Sequence, residues 1–150
     1  MRMKAGGSLS MNQERERFLS FLLKHPSTVA GARDRLRRKG LDEDAAEALV
    51  KEALDAALLD DALYARLFAE GHDSWGKNRI ALELRRRGVS AEDVEATLAD
   101  IDELARAKAL LDSWTRGGLE ERKVLARLYR RGFSSATVSA LSRGEKDIPW

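Results

Sequence analysis

The chain has 150 residues, of which 35% are charged and 6% aromatic, with two prolines, no cysteine and a formal net charge of +2. This length fits one domain, and the abundance of Ala, Leu, Glu, Arg and Lys favours helices over strands. The composition excludes disulfides and thiolate metal sites, and no apolar run approaches the ~18 residues of a membrane span. Because no apolar run follows the basic start, we expect that it is not a signal peptide and that the protein is cytoplasmic.

Apolar residues recur at helical spacing along most of the chain. The clearest stretch, from Ala45 to Leu58, repeats them at i, i+1, i+4 and i+5. Asp60 is suited to cap the helix that follows, because its carboxylate can accept a hydrogen bond from the first turn. Further apolar stripes are formed by Phe18, Leu19 and Leu22, by Leu63, Tyr64, Leu67 and Phe68, and by Leu104, Ala107, Leu111 and Trp114.

A short phrase occurs three times: "RLRRKGLD" at 35–42, "ELRRRGVS" at 83–90 and "RLYRRGFS" at 127–134. Its glycines, Gly40, Gly88 and Gly132, are 48 and 44 residues apart, which is a period typical of helical repeats. We expect each glycine to end a helix in the left-handed conformation. The Asp or Ser two residues later (Asp42, Ser90, Ser134) is expected to cap the next helix.

These patterns predict an all-α fold of three tandem three-helix repeats, with about nine helices. Repeat 1 is expected at about 12–58, repeat 2 at 59–101 and repeat 3 at 102–144, with tails at 1–11 and 145–150. The repeats form a single domain in this interpretation, because no repeat covers its own apolar stripe and neighbours must stack. We expect the protein to be a monomer.

Charge is distributed unevenly between the predicted helices. Residues 27–40 and 76–88, which precede the first two glycines, each hold five Lys or Arg and one acid. The segments that follow are acidic, with eight Asp or Glu and one Lys at 41–63, and six acids and no base at 89–105. The first two repeats therefore carry acids that can compensate their arginines.

The third repeat departs from this pattern, because residues 117–144 hold six bases against two acids. Lys123, Arg127 and Arg130 share one face of the predicted helix. A basic face that is merely solvated is one open interpretation. The lack of nearby acids in this repeat keeps the other open, which is a surface for a polyanion or an acidic partner. The opposite, apolar face is predicted to hold Val124, Leu125, Leu128 and Tyr129.

Residues 80–98 resemble a helix-turn-helix motif, whose second helix enters the major groove of DNA. The start of that helix would need Arg, Lys, Asn or Gln to contact the bases. Here those positions are Ala91, Glu92, Asp93 and Glu95, whose carboxylates the phosphates would repel. A sequence-reading transcription factor is therefore disfavoured.

No constellation of residues points to catalysis. His25 and His72 are far apart and have no metal-ligand spacing, and no glycine-rich phosphate loop occurs. Asp60 and Asp61 open a predicted helix and are interpreted as capping residues. We therefore predict that the protein is not an enzyme and that it has no catalytic residue, no metal site and no cofactor.

Two stretches, "ALLDDALYARLFAE" and "WGKNRIALELRRRGVSAEDVEATL", resemble the middle repeat of the RecX family, bacterial regulators of the RecA recombinase. The stretch "ERKVLARLYRRGFSSATVSAL" is similar to the family's C-terminal repeat, and the resemblance covers about residues 14–144. The first repeat is less similar, since Gly31 and Ala32 replace Glu and Leu, and a glycine inside a helix costs about 1 kcal/mol. The matching residues are Leu58, Leu59, Asp60, Asp61, Tyr64, Ala65, Gly76, Ile80, Glu83, Leu84, Gly88, Lys123, Leu128, Arg131, Gly132 and Phe133.

The resemblance implies an elongated, curved body of stacked three-helix repeats that binds the RecA filament on DNA. It implies modulation, chiefly inhibition, of RecA's ATPase, strand-exchange and co-protease activities in recombination, DNA repair and the SOS response. Single- and double-stranded DNA would be contacted nonspecifically through phosphates. The alternatives are a nonspecific DNA-binding protein that does not act on RecA, and a structural helical adaptor. The expected contact residues are Lys123, Arg127, Arg130, Arg131, Arg122, Arg79, Arg86, Arg85 and Arg87.

Overall fold

A computed structural model describes residues 10–146, which form nine helices and no strand. This confirms the predicted all-α fold of three successive three-helix repeats. Within the described residues, no helix is long and apolar enough to span a membrane. The helices are α1 (Met11–Lys24), α2 (Val29–Arg38), α3 (Glu43–Asp55), α4 (Asp61–Gly71), α5 (Lys77–Arg86), α6 (Ala91–Ala99), α7 (Glu103–Arg116), α8 (Glu121–Arg130) and α9 (Ser135–Lys146).

The helix ends follow the local chemistry that the sequence predicts. Gly40, Gly88 and Gly132 have φ angles of 92°, 86° and 91°, the left-handed region in which a side chain is strained. The predicted caps are confirmed, because each accepts a hydrogen bond from the amide three residues later. The amide of Ala45 donates to the side chain of Asp42 (2.8 Å), that of Leu63 to Asp60 (3.0 Å), that of Asp93 to Ser90 (3.1 Å) and that of Thr137 to Ser134 (3.2 Å).

The chain divides into two compact units. One comprises Met1–Tyr64 and Arg87–Val89, and its core contains Phe18, Leu22, Leu36, Leu49, Val50 and Leu59. The other comprises Ala65–Arg86 and Ser90–Trp150, and the core beneath its last three helices contains Ala107, Val124, Leu128, Phe133 and Leu141. The limits of the repeats, 12–58, 59–101 and 102–144, stay predictions.

Two of the repeated glycines lie against an earlier helix. A Cβ added at Gly88 would lie 2.4 Å from the Cβ of Ala30, in α2. A Cβ added at Gly132 would lie 2.4 Å from the Cβ of Arg79, in α5. At Gly40 an added Cβ would meet no described atom within 4 Å. The phrase is therefore a helix-ending turn at all three places and a close packing contact at the last two.

Hydrogen bonds fix the same two turns. The Thr28 hydroxyl, at the start of α2, donates to the Arg87 carbonyl over 2.7 Å. At the start of α5, the Gly76 amide donates to the Arg131 carbonyl over 2.9 Å. Position 76 has no room for a side chain, because an added Cβ would lie 2.3 Å from the Phe133 backbone. Close backbone approach thus accounts for the glycine at position 76.

Two acids cap a helix of the preceding repeat. Asp61, the first residue of α4, accepts a hydrogen bond from the Val29 amide at the start of α2 over 2.9 Å. Glu103, the first residue of α7, accepts one from the Lys77 amide at the start of α5 over 2.7 Å. The preceding acids, Asp60 and Asp102, cap the helices to which they belong, α4 and α7. Each pair of adjacent acids therefore caps two helices, its own and one of the preceding repeat.

The departure at Gly31 costs less than the sequence suggests. Gly31 lies in the first turn of α2, and its amide donates to the Thr28 hydroxyl over 3.0 Å. A Cβ there would lie 3.1 Å from the Ser27 hydroxyl oxygen, which is a tight contact. The predicted loss of about 1 kcal/mol assumed a helix interior, and that assumption is wrong.

Candidate nucleic-acid interface

The helix α8 carries the predicted basic face. Val124 and Leu128 are fully buried in the core, whereas Lys123 and Arg130 are exposed and have no acidic partner among the described residues. Arg127 is half-buried. The buried stripe runs along one side of α8, so the cations of Lys123 and Arg130 stay in solvent on another side.

The prediction for Tyr129 is wrong. Its side chain is 61% exposed and does not belong to the apolar face of α8. One residue along a helix turns by about 100°, so Tyr129 points well away from the direction of Leu128. The core needs only the narrow stripe of Val124 and Leu128, with Leu125 half-buried at its border.

Two of the predicted arginines meet at a tryptophan. The guanidinium of Arg127 lies 4.8 Å from the centre of the Trp114 ring, and that of Arg131 lies 5.1 Å from it. Arg131 also donates a hydrogen bond to the Ser74 hydroxyl over 3.1 Å. Both guanidinium groups are attracted by the electron-rich face of the indole. The periodicity of the sequence places Trp114 only on the apolar stripe of α7, and its part in this surface was not predicted.

The second repeat adds one arginine to this region. Arg79 is exposed, its guanidinium lies 4.0 Å from the Trp75 ring, and its backbone packs against Gly132. Arg85 and Arg86 are at the far end of α5, about 10 Å along the helix axis. Both side chains are exposed, and Arg86 forms an ion pair with Glu83 over 3.0 Å.

Two further predicted residues contribute less to a free basic surface. The guanidinium of Arg122 lies 3.7 Å from the Glu120 carboxylate, with both side chains exposed. Arg87 is half-buried, and its carbonyl accepts the hydrogen bond from Thr28. The structure therefore brings Arg127 and Arg131 together at Trp114. Lys123 and Arg130 lie on α8 with Arg127, and Arg131 is the residue that ends this helix. Arg79 packs beside that group.

In the first repeat, acids neutralise most of the arginines. Ion pairs join Arg15 to Glu52, Arg33 to Glu47, Arg37 to Glu43 (2.8 Å) and Arg38 to Asp34 (2.9 Å). The hydrogen bond from Arg33 lowers the pKa of Glu47, and the one from Arg15 lowers the pKa of Glu52. In the first repeat, acids of α3 thus neutralise Arg15, Arg33 and Arg37. In the third repeat, Lys123 and Arg130 have no such partner among the described residues.

Glu103, one of the six acids at 89–105, is not available at the surface to compensate the exposed arginines of α5. Its side chain turns inward and is 7% exposed. Burial acts to raise the pKa of Glu103, but hydrogen bonds from the Thr137 hydroxyl, the Lys77 amide and Ser134 outweigh it and hold the pKa below its ordinary value. The negative charge therefore stabilises helix starts inside the protein.

Arg106 is also used internally. Its guanidinium donates to the carbonyls of Ala69 (2.9 Å), His72 (3.1 Å) and Trp75 (3.2 Å). The same segment holds a stack in which the His72 ring lies 4.1 Å from Trp75 and 4.2 Å from Phe68. His72 is therefore part of the packing of this segment.

Residues 60–98 match a family model described as RecX, second three-helix domain. The chain is 31% identical over 139 residues to the regulatory protein RecX of Lactobacillus delbrueckii subsp. bulgaricus. The match includes 85% of this chain and half the length of that protein. It is 33% identical over 139 residues to the regulatory protein RecX of Thermobifida fusca, covering 85% of this chain and 75% of that one. The crystal structure of RecX from Lactobacillus salivarius has the same fold, with a TM-score of 0.74 at 20% identity over 92% of this chain and 97% of that one.

Proposed function

This chain belongs to the RecX family, and from that membership we propose that it is a regulatory protein that binds the RecA recombinase filament on DNA. In this proposal it inhibits the filament's ATPase, strand-exchange and co-protease activities during recombination, DNA repair and the SOS response. It does so in the cytoplasm, where the filament forms. Such a role requires a binding surface and no catalytic group.

The observation that supports the proposal is the difference in charge compensation between the first and third repeats. Arg33, Arg37 and Arg38 pair with acids, whereas Lys123 and Arg130 have no acidic partner among the described residues. Free cations on a helical face can neutralise phosphates and release their counterions, which is a favourable contribution without base readout. The third repeat is therefore the part proposed to meet the filament's DNA.

A pull-down with the immobilised protein tests the proposal. We expect it to retain RecA assembled on single-stranded DNA with a nonhydrolysable ATP analogue, and to lower the ATPase rate of RecA filaments with ATP. Binding to DNA alone is expected to be weak, independent of sequence and steeply reduced by salt.

Two results would contradict RecA regulation. Retention of DNA with no retention of RecA and no change in ATPase rate would identify a nonspecific DNA-binding protein. Retention of neither would leave a structural helical adaptor. A strong preference for one duplex sequence would instead revive the helix-turn-helix interpretation of residues 80–98.

A further inference from the structure

An open cleft of about 400 Å³ lies beside the tryptophan at the end of α7. The Trp114 ring forms one part of its lining, and Arg127 of α8 forms another. The turn between the two helices adds Gly117, Gly118 and Leu119 to the lining. A half-buried aromatic ring, a guanidinium and a free volume therefore meet at one place within the third repeat.

The two glycines of this turn have different requirements. Gly118 has a φ of 101°, which disfavours any other residue. Gly117 has φ −78° and ψ 2°, which other residues adopt without strain. A Cβ added at Gly117 would make only ordinary contacts, 3.5 Å from the Trp114 carbonyl oxygen and 3.6 Å from that of Ser113. Neither conformation nor packing requires glycine at 117, and glycine leaves this part of the cleft lining without a side chain.

The other described tryptophan is more fully engaged. The Trp75 ring has the His72 ring at 4.1 Å in a stacked arrangement and the Arg79 guanidinium at 4.0 Å. The ring partners of Trp114 are guanidinium groups at the longer distances of 4.8 and 5.1 Å. Trp114 also lines the open cleft, so a planar group of a ligand can reach its ring there.

We propose that an unpaired base of a single-stranded nucleic acid stacks on Trp114 in this cleft, while Lys123, Arg127 and Arg131 neutralise the adjacent phosphates. The inference rests on the proposed function, because it assigns a ligand group to the same basic face. Bases stack on aromatic side chains independently of sequence, and arginine planes add to such stacks. A base in a duplex is already paired and stacked, so the cleft selects single strands.

The fluorescence of Trp114 reports the stacking directly. The double substitution Trp75→Phe and Trp150→Phe leaves Trp114 as the one tryptophan of the chain. Oligo(dT) should quench its emission, whereas an abasic deoxyribose-phosphate oligomer of equal length should not. Stacking of one base should also make binding to oligo(dT) about 5- to 150-fold tighter than binding to the abasic oligomer.

Two variants of the otherwise wild-type protein separate stacking from charge. Trp114→Leu keeps an apolar side chain against the core, and Gly117→Gln fills the cleft without altering charge. Each should bind both oligomers with nearly equal affinity and retain the wild-type helical circular dichroism. The matched control is Gly71→Gln, since Gly71 is exposed and an added Cβ there meets no described atom within 4 Å. That variant should keep the preference for oligo(dT).

The possible failures are distinguishable. Equal binding of oligo(dT) and the abasic oligomer by the wild-type protein, with unchanged Trp114 emission, overturns base stacking but leaves phosphate binding intact. Absence of binding to both overturns the inference and, with it, the DNA contact of the proposed function. A change in Trp114 emission caused by RecA without DNA, and not by oligo(dT), would assign the cleft to a protein contact and overturn the inference.

Discussion

The Lys77 amide donates a hydrogen bond to a carboxylate oxygen of Glu103 over 2.7 Å, which joins the first residues of α5 and α7. The other oxygen of Glu103 accepts hydrogen bonds from the hydroxyls of Ser134 (2.8 Å) and Thr137 (2.6 Å), at the start of α9. The buried carboxylate of Glu103, at the start of α7, therefore accepts hydrogen bonds from the starts of both α5 and α9. The positive ends of the helix dipoles stabilise its charge.

Replacing Glu103 by Ala should lower the free energy of unfolding by about 2 kcal/mol or more. The substitution leaves the partly buried Lys77 amide and the Ser134 and Thr137 hydroxyls without their acceptor. Urea denaturation followed by circular dichroism measures the effect. The exposed acid Glu95 provides the control, since Glu95→Ala should change stability by less than about 0.5 kcal/mol. Equal effects of the two substitutions would show that Glu103 does not hold these helices.

Stability should also depend on pH through Glu103. Its pKa in the folded protein lies below its ordinary value of about 4.3, which approximates the unfolded chain. The stabilisation is therefore fully present well above the unfolded-state pKa, from about pH 5 upward, and is lost as pH falls through the folded-state pKa. The difference in thermal midpoint between wild type and Glu103→Gln should be constant from neutral pH to about pH 5 and then shrink. A difference that persists undiminished to pH 3 would contradict this assignment.

The three repeated glycines should respond differently to alanine. Gly40→Ala should cost about 1–2 kcal/mol of unfolding free energy, the strain of a side chain in the left-handed region. Gly88→Ala and Gly132→Ala should cost at least about 1 kcal/mol more, because the new Cβ would overlap Ala30 or Arg79. Equilibrium denaturation of the three variants decides the matter. Equal losses at all three positions would mean that the turns are not packed against the earlier helices.

Much of the fold could be predicted because it depends on local chemistry. Ser90 caps a helix and Gly88 ends one for reasons contained within a few residues of chain. The inward turn of Glu103, the exposure of Tyr129 and the guanidinium contacts of Trp114 depend on neighbours distant in sequence. Periodicity places a residue on a face of its helix, but it does not show which neighbouring helix covers that face.

The candidate site was predictable in its charge and less so in its geometry. Composition alone indicated that acids compensate the first repeat and not the third, and the ion pairs of Arg33 and Arg37 agree with this. The sequence could not show that Arg127 and Arg131 converge on one ring, because that requires the packing of α7 beside α8. The pairing of Arg86 with Glu83 was predictable, because residues three apart on a helix are neighbours.

We propose that the third repeat carries the contact with the RecA–DNA filament. The test compares two triple substitutions that each remove three positive charges. One changes Lys123, Arg127 and Arg130 to Gln, and the other changes Arg37, Arg38 and Lys39 to Gln. Neutral replacements are needed, because reversed charges at 37 and 38 would lie against Glu43 and Asp34. These side chains lie outside the core, so both variants should keep nearly wild-type thermal midpoints.

The most direct measurement is the equilibrium binding of both variants to RecA filaments on oligo(dT) over a series of salt concentrations. The third-repeat variant should bind at least about tenfold more weakly than wild type, and its logarithmic salt slope should be smaller by about 2, near 0.7 for each lost phosphate contact. The first-repeat variant should bind nearly as wild type does. Loss of filament binding by the first-repeat variant, with binding retained by the third-repeat variant, would contradict the placement of the contact surface on α8.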